Sequence, residues 1–118
     1  MNTISNPLTW ELPSAHIYMY ASGIRKNHPE IWKLGGNIFG NQAFINLGKV
    51  VKRGYWQVDE EQMYKRWVAF RKRHANDFRA AGVVANLKWL AWVNSGEEYV
   101  RELIDEEIQK AERKRTKA

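Results

Sequence analysis

The chain contains no cysteine. That removes disulfides, thiolate nucleophiles and cysteine-based zinc sites together. Long apolar runs are missing as well, and no segment approaches the ~18 apolar residues of a membrane span. The N-terminal stretch MNTISNPLTWELP has neither the basic start nor the roughly 7–15-residue apolar run of a secretion signal, so a cytoplasmic protein is the expectation. Three histidines, His16, His28 and His74, show no i,i+4 pairing, which argues against a metal site. There is no Gly-x-Ser-x-Gly elbow and no pair of carboxylates in an apolar setting. The acids fall in first helical turns or on exposed faces. These absences point to a protein that is not an enzyme and carries no cofactor.

What is present builds a core. Of 118 residues, 44% are hydrophobic, with six Trp, five Tyr and four Phe. That is enough for one folded domain and too much for a disordered chain. No repeat and no low-complexity linker divides it. Net charge is +6 and unevenly spread. Between Gln62 and Trp92 the cations are Lys65, Arg66, Arg71, Lys72, Arg73, Arg79 and Lys88, against Asp77 alone. From Glu97 to Glu107 the acids Glu97, Glu98, Glu102, Asp105, Glu106 and Glu107 face only Arg101.

The periodicity predicts an all-α fold, a compact bundle of five to six helices with an extended N-terminal arm (1–12) and a basic, flexible C-terminal tail (112–118). Trp10 anchors the arm. A first helix, or alternatively a short strand, is expected from Ser14 to Ser22 with Gly23 as terminator. Asn27-His28-Pro29-Glu30 reads as a cap and first turn, ending at Gly35-Gly36. The connection GGNIFGN then leads to a helix from about Gln42 to Arg53, with Phe44, Leu47 and Val51 inward and Gly54 as stop. Asp59 caps the next helix, in which Met63, Trp67, Phe70 and His74 form an apolar strip. Phe78 to Val93 is apolar nearly all round and reads as the buried central helix. A Ser95-x-x-Glu98 capping box opens the last one.

The leading functional feature is the outer face of the 62–73 helix. Lys65, Arg66, Lys72 and Arg73 lie there, suited to tracking phosphates. Lys49, Lys52 and Arg53, the terminal ERKRTK segment, and an exposed Trp56 beside Tyr55 extend the candidate surface, since an exposed aromatic beside cations is the pairing that stacks unpaired bases. The competing explanation is an ordinary solvated face, or one paired with the 102–107 acids, and Trp56 packed beneath the following helix.

Three other features each have a plainer structural use. GGNIFGN offers backbone N–H groups before a helix, but its spacing matches neither phosphate-binding glycine pattern, so a tight helix connection is the simpler use. Helices 29–34 and 42–53 resemble a helix-turn-helix only loosely, because their connection of about seven residues exceeds the usual 3–4. His74 and Asp77, one turn apart, read as a satisfied polar pair rather than as catalytic groups.

Two functions follow as expectations. One is a basic, largely sequence-tolerant nucleic-acid-binding protein, contacting DNA or RNA through its phosphates. The other is a protein–protein interaction module, an adaptor or an inhibitor of a nucleic-acid-handling complex of the kind mobile elements or phages encode. Its acidic 102–107 face would meet a basic partner.

Overall fold

The computed structural model describes residues 6–36 and 38–116. Ser14 accepts a hydrogen bond from the Ile17 backbone N–H at 3.3 Å and opens helix α1 (Ala15–Asn27). The helix passes through Gly23, where the sequence predicts a stop. Ile17, Ala21 and Ile24 form one buried stripe at helical spacing. Burying Ile24 outweighs the ~1 kcal/mol a mid-helix glycine costs. Asn27 therefore closes α1 instead of capping the next helix, and His28 stands at the junction. Pro29 occupies the first turn of the short α2 (Pro29–Trp32), which continues as a 3-10 turn over Lys33–Gly35.

Helix α3 (Ile38–Arg53) starts inside the GGNIFGN segment, a turn before the expected Gln42. Gly35 and Gly40 there permit close contact. A Cβ on Gly35 would lie 2.7 Å from the Ala85 backbone nitrogen, and one on Gly40 3.0 Å from the Lys88 side chain. The 29–34 segment is thus clamped onto a later helix, and its connection to α3 is shorter than the expected seven residues. Gly54, with φ +91°, donates its N–H to the Val50 carbonyl at 2.8 Å and ends α3 as expected.

A 3-10 turn at Val58–Glu60 leads into α4 (Glu61–His74). The return hydrogen bond comes from Glu60, whose carboxylate accepts from the Gln57 N–H at 2.7 Å. The cap therefore sits earlier than the expected Asp59. Trp67 and Phe70 of α4 are buried.

The apolar 78–93 stretch is helical only over α5 (Ala80–Lys88). Its end is a Schellman arrangement: Ala91 N–H bonds the Asn86 carbonyl at 2.8 Å and Leu90 N–H the Leu87 carbonyl at 3.0 Å. The left-handed position that glycine normally fills is occupied by Leu90, at φ +50° and 1% exposed. Turning there drives the Leu90 side chain into the core. Helix α5 is the centre of the molecule, as its all-round apolar surface predicts. It packs on the Lys33–Gly35 turn, α1, α3, α4 and α6, and Val83, Val84 and Leu87 are fully buried.

Helix α6 (Gly96–Thr116) begins where the capping-box spacing places it and does not fray at Glu112. The expected flexible tail is helical through Thr116; Lys117 lies outside the described residues. Cations at a helix C-terminus complement its dipole, and Arg115 pairs with Glu30 of α2 at 2.9 Å. At the opposite end Glu97 meets His16 of α1 at 2.6 Å. Between them Arg101 lies over the Tyr20 ring, 4.3 Å from its centroid. Burial, partly offset by Arg101, pushes the Tyr20 hydroxyl pKa up to about 12. The described residues thus form an all-α, compact six-helix bundle without strands. Of the N-terminal arm, residues 1–5 lie outside the description. The rest forms a turn at Pro7–Thr9 and then runs extended, held by Trp10 stacked on Tyr64 at 4.8 Å.

Candidate nucleic-acid interface

Helix α4 buries Trp67 and Phe70 against α5, and that choice of face sends Lys65, Arg66, Lys72 and Arg73 outward. All four are exposed. Lys65 pairs with Glu61 one turn earlier at 3.7 Å, a loose contact between exposed groups. Arg66, Lys72 and Arg73 form no ion pair with a described residue. Lys65 and Lys72, like Arg66 and Arg73, are seven residues apart, about 10 Å along the axis at 1.5 Å per residue. The 102–107 acids do not reach them: Glu107 pairs with Lys110 at 3.4 Å on its own helix. Glu102, Asp105 and Glu106 are exposed and form no ion pair with a described residue.

The other cations of the 62–92 segment are committed. Arg71 pairs with Glu11 of the arm and lies over Trp67, 4.5 Å from the ring centroid. Arg79 holds Asp77 through bonds of 3.1 and 3.0 Å, which keep that carboxyl below its ordinary pKa. Asp77 is therefore bound to Arg79, while His74 stacks on Phe70 at 4.2 Å.

Lys88 is fully buried. Its Nζ donates to the Gly36 carbonyl at 2.5 Å and the Asn41 side-chain oxygen at 2.8 Å, over the Trp32 ring. Burial lowers its pKa, and no described carboxylate pairs with it. It is an internal fastener of the GGNIFGN segment.

Trp56 does not belong to the surface. It is 1% exposed, its indole N–H donates to the Glu11 carbonyl at 2.8 Å, and its ring packs edge-on against Tyr64 at 5.2 Å. The polar N–H finds a partner inside while the rest of the ring adds apolar burial, so the core is the favoured place for it. Tyr55 remains outside, with Arg53 5.2 Å from its ring centroid. Arg53 also pairs with Glu60, which ties it to the start of α4 and removes it from the unpaired cations. Lys52 is exposed and lies 5.7 Å from the Tyr18 ring centroid, on the α1 side of α3. Lys49 turns the other way, toward α4.

Lys49 and Arg66 meet across a feature that sequence reading missed, an open groove of about 940 Å³ between α3 and the start of α4. Met63 and Trp89 supply its apolar surface over the buried Ala43 and Leu47, while Gln42, Asn46 and Gln62 add amides. Phe39 stands at its edge, 84% exposed. The signal was available: Phe39 lies five residues before Phe44, off the inward face of α3.

No protein-family model matches this chain, and no curated protein or solved structure matches it either. No described helix is long and apolar enough to cross a membrane. Among the described residues, no group of three or more His, Asp or Glu is placed to hold a metal ion.

Proposed function

We propose that this protein is a non-enzymatic, cytoplasmic nucleic-acid-binding protein that contacts phosphates through α4 and the facing side of α3. One observation carries this reading: Arg66, Lys72 and Arg73 project from a rigid helix without a carboxylate partner among the described residues, and Lys49 does the same from α3. Cations left unneutralised on a fixed scaffold bind a polyanion with little ordering cost and release its condensed counterions. Nothing in this face presents a recognition helix to base pairs, so contact is largely tolerant of sequence.

A salt series tests it. Binding to a generic duplex weakens linearly in log–log coordinates, each phosphate contact adding about 0.9 to the slope, or about 0.7 on a single strand. Replacing Lys65, Arg66, Lys72 and Arg73 together with Gln lowers the duplex slope by about 3.6 and leaves the fold intact, because all four are exposed. Affinity that is absent, or that does not respond to salt, rejects the proposal.

A second reading rests on the acids of α6. Glu102, Asp105 and Glu106 are exposed without ion-pair partners among the described residues and would meet a basic protein, as in an adaptor or an inhibitor of a nucleic-acid-handling complex. A stable protein complex abolished by neutralising these three acids, with no polyanion binding, would establish it instead.

A further inference from the structure

Given the polyanion reading, we infer that the groove between α3 and α4 receives an unpaired nucleobase, so that the protein prefers single strands to duplex. The groove holds about 940 Å³, at the upper end of the roughly 300–1,000 Å³ of small-molecule sites. Its apolar side, where Met63 and Trp89 are partly exposed, suits the face of a base and offers nothing to a phosphate. Phe39, 84% exposed at the edge, is a flat ring with solvent where a packing partner belongs. Base-on-aromatic stacking is tolerant of base identity because every base has a π-face.

Charge sorts the two halves of a nucleotide. Lys49 and Arg66 flank the groove without an ion pair to a described residue, placed for the phosphates on either side of an inserted base. Asp59 and Glu60, the latter paired with Arg53, also line the groove; they disfavour a phosphate inside and leave the neutral base as the group that enters. Gln42 and Asn46, joined by a 3.1 Å hydrogen bond, and Gln62 carry both donors and acceptors for a base edge. Arg73, two turns beyond Arg66 on the same face of α4, continues the cationic track away from the groove. A duplex keeps its bases stacked and paired and reaches only that track.

The test compares three probes of equal length: an oligothymidylate, its abasic counterpart with the same phosphates, and a duplex. The wild-type protein is expected to bind the oligothymidylate about tenfold more tightly than the abasic strand. Phe39→Ala, a change at an exposed position, is expected to erase most of that difference. It leaves abasic and duplex affinities, and the salt slopes, as they were. Equal binding of the thymidylate and abasic strands overturns the inference, as does a Phe39→Ala protein that keeps the wild-type difference; in both cases salt-dependent binding still upholds the phosphate-contact reading. If none of the three probes binds, that reading falls and the groove proposal with it, and an acidic peptide becomes the occupant to try.

Discussion

Leu90 shows how one residue fixes the shape of the molecule's centre. Apolar patterning from Phe78 to Val93 predicts a continuous helix, yet α5 stops at Lys88 because Leu90 takes a left-handed conformation. A Cβ in that conformation costs about 1–2 kcal/mol, and burial of the Leu90 side chain offsets it. Leu90→Ala is expected to lose about 2–5 kcal/mol, as buried leucines do. Leu90→Gly should be no less stable than Leu90→Ala in urea denaturation, reversing the usual deficit of about 0.5–1 kcal/mol for glycine. A glycine variant lower by that usual deficit would show that the left-handed residue is not strained. Sequence could not reveal this stop, because no glycine, asparagine or proline marks it. The cations of α4 were legible residue by residue, since an amphipathic period fixes what faces outward once the inner face is known. Trp56 was legible only as two alternatives, exposed or packed beneath the following helix; the second holds, and it is completed by the Glu11 carbonyl, 45 positions away in sequence and brought to it by the folded arm.

Among the elements, the connections explain more than the helices do. Two glycines that look alike in sequence hold opposite roles. Gly23 sits inside α1 with open space where a Cβ would be, whereas a Cβ on Gly35 would press on the backbone of α5. Gly23→Ala is expected to raise stability by up to about 1 kcal/mol through helix propensity. Gly35→Ala should lower it by about 1–3 kcal/mol through overpacking, because a central helix backbone cannot yield as a side-chain tip can. Thermal melts of the two variants check this, and melting shifts of the same sign would contradict the clamp between the Lys33–Gly35 turn and α5. Helix existence and type were readable from caps and periods except at α1, where a short strand fitted as well. Boundaries moved wherever burial overrode a local signal, as at Gly23 and at the early start of α3.

On the scale of the whole molecule, α6 binds the two ends of the α1–α2 pair, through Glu97 with His16 and Arg115 with Glu30. Hydrogen bonds from His16 and then Arg101 hold the Glu97 carboxyl below its ordinary value of 4.5. A carboxyl whose pKa is depressed by folding stabilises the native state above the unfolded pKa, and that stability is lost as pH falls through the folded pKa. The stability advantage of the wild type over Glu97→Gln should therefore be level near neutrality and close as pH drops below 4.5. A gap independent of pH would mean the carboxylate charge contributes nothing there. Lys88 carries a different consequence. An ammonium group at the heart of an otherwise greasy assembly is tolerable only when the roof formed by Gly36 and Asn41 is already overhead. Any half-assembled intermediate that shuts this amine away from water before those oxygens arrive is penalised, so sealing of the Lys88 ammonium cannot run ahead of the arch from α2 to α3.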